Sequence, residues 1–80
     1  DSGIILYPNP ANQTVNINVT QASGNANVSI FDINGRLIIT KEISLDTTTS
    51  LDVSQVTSGV YLVQVTAQEG FIKTTKLIIQ

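Results

Sequence analysis

Apolar residues in this 80-residue chain recur at every second position, in short runs that turn-forming residues interrupt about every ten positions. The run Thr14–Thr20 is the clearest. Val15, Ile17 and Val19 alternate there with Thr14, Asn16, Asn18 and Thr20. A period of two puts neighbouring side chains on opposite faces of a strand, so such a run has one core face and one wet face. Ile, Val and Thr supply 29 of the 80 residues. Their branched Cβ packs well on a pleated surface and loses rotamer freedom in a helix. No segment keeps the helical period over a window of about eleven residues. The fold class expected is all-β.

The turn signals divide the chain into seven short strands. A first strand at residues 4–7 ends at Pro8 and Pro10, and Thr14–Thr20 is the second. Gln21-Ala22-Ser23-Gly24-Asn25 follows as a turn, and Ala26, Val28 and Ile30 resume the alternation. Strands two and three therefore read as a hairpin. Asn34-Gly35 separates the run ending at Phe31-Asp32-Ile33 from a fourth strand at 36–43, and predicts a tight type I′ turn with positive φ at both central residues. A polar loop leads to a fifth strand at 50–53. The sixth, 60–66, carries Tyr61, Val63 and Val65 in one phase and Val60 and Leu62 in the other. Apolar residues in both phases predict a central strand covered on both faces. Gln68-Glu69-Gly70 predicts a three-residue hairpin loop with Gly70 at positive φ, before a last strand at 71–79. Seven strands at this spacing fit a seven-stranded antiparallel Ig-like β-sandwich better than a barrel or an α/β fold.

The composition removes most chemistry. Cys, Met, Trp and His are absent, which excludes disulfides, thiolate metal sites, cysteine nucleophiles and imidazole catalysis. Four basic residues against six acidic ones leave a net charge of -2, too little positive charge for the stripe that nucleic-acid phosphates require. With 41% hydrophobic residues and 12% charged, the chain does not have the makeup of a disordered one. No run approaches the roughly 20 apolar residues of a membrane-spanning helix. A start at Asp1 reads as a fragment of a longer protein, with residues 1–3 as a linker and residues 4–80 as one domain. Paired carboxylates for acid–base work are not apparent either. Asp32 precedes Asn34-Gly35 and Asp52 precedes Ser54, positions at which an aspartate accepts turn amide hydrogen bonds. No acidic set has the alternation of a calcium loop, and the serines have no base to activate them. An enzyme is not expected, nor a cofactor or a metal.

Two features exceed what a bare sandwich needs. Tyr7-Pro8-Asn9-Pro10 is a stiff block, because each proline fixes φ and restricts the residue before it. The end of the chain, Lys76-Leu77-Ile78-Ile79-Gln80, is apolar where chain ends are usually polar and frayed. Such an end suits uptake by a partner through strand pairing or in a groove, without unfolding of the sandwich.

Taken in order, Tyr7-Pro8-Asn9-Pro10, Asp32-x-x-Gly35-Arg36, Gly59-x-Tyr61-x-Val63-x-Val65, and Gly70 followed by Lys76-Leu77-Ile78-Ile79 resemble the type A C-terminal sorting domain of the type IX secretion system, found on cargo proteins of Bacteroidetes. The resemblance runs from about residue 4 to Gln80. It implies a signal domain with no catalytic residues, attached to an N-terminal cargo that passes through the periplasm and ends at the cell surface or secreted. The implied partners are an outer-membrane shuttle protein and a sortase-like protease. Lys76, Leu77, Ile78, Ile79 and Gln80 would be the segment that the machinery recognises, and Asp1, Ser2 and Gly3 would lie near the cleavage point. Gly35, Arg36, Gly59, Tyr61 and Gly70 match motif positions as turn and packing residues. An adhesive or carbohydrate-binding Ig-like surface module and a passive spacer are the alternatives. The former needs an exposed aromatic platform, and the chain has two Tyr and two Phe.

Overall fold

A computed structural model describes residues 3–80. The linker and cleavage expectations for Asp1 and Ser2 lie outside the described residues, and Gly3 is the first residue of a strand. Seven strands follow one another: β1 (Gly3–Tyr7), β2 (Thr14–Thr20), β3 (Asn25–Phe31), β4 (Leu37–Ser44), β5 (Thr49–Asp52), β6 (Gly59–Ala67) and β7 (Ile72–Ile79). They form a three-stranded sheet in the order β1-β2-β5 and a four-stranded sheet in the order β4-β3-β6-β7, with every strand pair antiparallel. This is an Ig-like sandwich in which β4 extends the second sheet. Among the described residues no helix is long and apolar enough to cross a membrane.

The core follows the inward phase of each strand. Val15, Ile17 and Val19 of β2 are buried with Ala26, Val28 and Ile30 of β3, Tyr61, Val63, Val65 and Ala67 of β6, and Leu77 and Ile79 of β7. Among the described residues no polar or charged side chain is buried, and no buried side-chain polar atom lacks a hydrogen-bond partner. Strand pairing and burial thereby satisfy the backbone and the apolar faces together.

Three expectations are corrected. Strands β2 and β3 do not form a hairpin, because β2 pairs with β1 and β5 while β3 pairs with β4 and β6. Their apolar faces share one core from opposite sheets. An alternating strand buries one face equally well by either arrangement, so the pattern specifies the face and not the neighbour. The crossing uses left-handed residues at Gln21 (φ 57°) and Gly24 (φ 89°). The Gly24 carbonyl accepts the Leu45 N–H at 2.7 Å, which ties the crossing to the chain beyond β4.

The β3–β4 turn is not type I′. Among its residues only Gly35, at 84°, has positive φ. Asp32 and Arg36 close a three-residue loop, with Asp32 N–H donating to the Arg36 carbonyl and Gly35 N–H to the Asp32 carbonyl, both at 3.0 Å. The Asp32 carboxylate accepts the Asn34 N–H at 2.9 Å, an aspartate turn that leaves Asn34 outside the left-handed region. The β6–β7 loop has the expected form, with Gly70 at φ 110° and a matching pair of bonds between Ala67 and Phe71 and between Gly70 and Ala67.

Finally, β6 is central in its sheet but covered on one face only. Val60 and Leu62 remain 45% and 44% exposed on the outer face.

Candidate functional site

The final strand and the Tyr7-Pro8-Asn9-Pro10 block meet along one edge of the four-stranded sheet. Strand β1 ends at Tyr7, both following X-Pro bonds are cis, and the chain crosses to the outer edge of β7. There the Asn9 side chain acts as a piece of strand. Its Nδ2 donates to the Lys76 carbonyl at 3.1 Å, and its Oδ1 accepts the Ile78 N–H at 3.0 Å. Ala11 continues the ladder in parallel register, donating to the Ile78 carbonyl at 2.7 Å and accepting the Gln80 N–H at 2.8 Å. Prolines on either side of Asn9 bring no amide hydrogen of their own.

The tail is therefore not a free apolar end. Leu77 and Ile79 point inward and are buried, with 0% and 2% of their surface exposed. They complete the core opposite Tyr61 and Gly59 of β6. A chain end becomes ordered when its side chains fill a core and its edge is paired, and both conditions hold here. Uptake of this segment by strand pairing would displace Asn9 and Ala11. Lys76 and Ile78 face the other way, opposite Leu62 and Val60 on the outer face.

The remaining motif residues are explained locally. Asp32 holds the hairpin tip through Arg36 N–H at 2.9 Å and through an ion pair of 3.2 Å with the Arg36 Nε. The Arg36 amide hydrogen bond chiefly, with that of Asn34 and the Arg36 charge, lowers the Asp32 pKa and outweighs the opposing cost of desolvation. Asp52 is lowered in the same direction by its hydrogen bonds from Ser54, whose N–H lies 2.9 Å from Oδ1. Tyr61 is buried and its hydroxyl donates to the Thr57 carbonyl at 2.5 Å. This link from the start of β6 back over the β5–β6 corner is a tyrosine corner, a brace found in Ig-like sandwiches. Gly59 lies against that ring.

One cleft of about 420 Å³ opens between Asp32, Arg36, Ile38, Thr57 and Tyr61, and another of about 250 Å³ lies by Asn27, Glu42 and Gln68. Among the described residues no three acidic side chains are grouped to hold a metal.

Sequence reasoning missed two parts of this region. Ala11 is completely buried and bridges to Ile79, but no periodic run includes it. The outward residues Phe31, Leu37, Val60 and Leu62 were also missed, because apolar residues in both phases of β6 read as double-sided burial. An aligned row of exposed apolar residues becomes visible only once the register is known.

A comparison with family models matches residues 5–80 to the family described as the secretion system C-terminal sorting domain. No curated protein matches the chain.

Proposed function

The chain belongs to the secretion system C-terminal sorting domain family of type IX secretion, and from that premise we propose that it is read by the export machinery through its C-terminal strand. Membership indicates a sorting signal for type IX secretion, with a cargo on its N-terminal side and export across the outer membrane toward the surface or the medium. The family is one of signals and not of enzymes.

The finer steps belong to the proposal. Cargo and signal cross the periplasm folded, an outer-membrane shuttle protein engages the segment from Lys76 to Gln80, and a sortase-like protease cuts near residues 1–3. The observation that carries this reading is the family match over nearly the whole described chain. The ordered C-terminal strand supports it, since Lys76 and Ile78 are held on the outer face by a paired edge and two core anchors. A surface of fixed shape binds with less loss of conformational entropy than a loose tail does. The adhesive alternative lacks support from the aromatics: Tyr61 is buried, Phe31 and Phe71 are half-buried, and Tyr7 alone is well exposed.

The test is a fusion of an exported reporter to residues 1–80 in a host with type IX secretion, beside the same reporter without residues 4–80. The expected outcome is surface or medium delivery of the first and periplasmic retention of the second. Equal delivery of both would overturn the assignment.

A further inference from the structure

The cross-strand register places a row of side chains across the whole outer face of the four-stranded sheet. Leu37 pairs with Phe31, Phe31 with Leu62, and Leu62 with Lys76. The neighbouring row holds Val60 opposite Ile78. Directly opposed residues share a face and lie about 5 Å apart, so these six form one continuous surface. Leu37, Leu62 and Val60 are 50%, 44% and 45% exposed, and Lys76 is exposed as well.

The apolar character is concentrated at this end of the face. The next row along the strands is Thr40, Ser29, Gln64 and Thr74, and the one after it is Glu42, Asn27, Thr66 and Ile72, in which Ile72 is a single exposed apolar residue at the start of β7. One sheet face thus divides into a mainly polar end with an acidic residue and an apolar end with a basic one. Lys76 is the only charged side chain in the apolar rows, and among the described residues it has no ion-pair partner. Its alkyl stem can lie on the apolar surface while the ammonium reaches beyond it.

We propose that this apolar end, centred on Leu62 and Lys76, is the docking surface for a protein of the export machinery that presents apolar side chains around a carboxylate. The proposal rests on the sorting reading above and supplies the face by which the signal is read. Charge complementarity selects the occupant: an apolar surface with a single cation is matched by an apolar surface with a single anion. The mode of contact is side chain to side chain. Strand addition along Lys76 to Gln80 is blocked, because Asn9 and Ala11 occupy the Lys76, Ile78 and Gln80 edge groups. The docking face and the C-terminal segment are joined through Lys76 and Ile78.

The test uses the reporter fused to residues 1–80, carrying Leu62→Thr with Lys76→Glu. Both positions face outward, so the core is untouched. The expected result is a loss of delivery of about tenfold or more, as for removal of central interface anchors, with unchanged circular dichroism and melting temperature. Lys76→Arg restores the charge and should deliver normally, and Gln64→Glu on the polar end should also deliver normally. Normal delivery of the Leu62→Thr, Lys76→Glu variant, with retention of the reporter lacking residues 4–80, would overturn the docking face while leaving the sorting assignment intact. Delivery of both would overturn the sorting assignment and the docking face with it. Sedimentation of the fusion tests the competing occupant: a dimer dissociated by Leu62→Thr, with delivery unchanged, would make the face a contact between copies of the chain and overturn the proposal.

Discussion

Gly35 and Gly59 stand at two motif positions for different physical reasons. Gly35 has φ 84° with nothing within 4 Å of where a Cβ would stand, so only its backbone conformation demands glycine. Gly35→Ala should cost about 1–2 kcal/mol by urea denaturation, the usual penalty for a side chain in the left-handed region. Gly59 has no positive φ, and a Cβ there would sit 3.6 Å from the Tyr61 ring, an ordinary contact. Gly59→Ala should lose nothing and gain up to about 1 kcal/mol by restricting the unfolded chain. Asp32 is the other residue whose role is local. Its folded pKa is lowered, chiefly by the Arg36 amide, so the fold favours the ionised form. The stabilisation is complete above the ordinary value of 3.8 and disappears as pH falls through the lower folded value. Asp52 adds a contribution of the same sign. Thermal melts from pH 5 downward should therefore show falling stability below about pH 4, with a shallower decline in Asp32→Asn.

At the scale of the element, β7 has three sides with three duties. Its inner side chains Leu77 and Ile79 fill the core, its outer edge is paired by Asn9 and Ala11, and its outer face carries Lys76 and Ile78. Leu77→Ala should cost about 2–5 kcal/mol, the range for truncating a buried leucine. In a domain of this size that lowers the melting temperature by about 10 °C or more. Lys76→Thr, on the exposed face, should stay within about 0.5 kcal/mol. Deleting residues 76–80 removes both core anchors at once, and so unfolds the domain as well as erasing any recognition signal. The other edges are protected by different means. Strand β5 is four residues long, and edge strand β4 carries an exposed lysine, Lys41. Short edges and edge lysines both discourage pairing with other chains.

The molecule as a whole has the dimensions its length requires. Its accessible surface of 4723 Å² and radius of gyration of 11.7 Å agree with about 4,700 Å² and about 11.6 Å from size scaling. One core without a disulfide should melt in a single transition, with an enthalpy of about 56 kcal/mol near 60 °C. Calorimetry with and without reductant should give the same curve, and a second transition would contradict a single core. The sequence by itself determined the all-β class, the faces of Thr14–Thr20 and β3, the glycine of each three-residue hairpin loop, and the family signature. The first three depend on residues close together in the chain, where periodicity and turn stereochemistry act, and the signature depends on the order of short local motifs along it. Only the tertiary structure decided that β2 and β3 lie in opposite sheets, and that Asn9 reaches Ile78, 69 positions away. It also decided that Leu37, Phe31, Leu62 and Lys76 form one row. The reason is that an alternating pattern specifies which side of a strand is buried and leaves its neighbours to be chosen by the packing of all seven strands around a shared core.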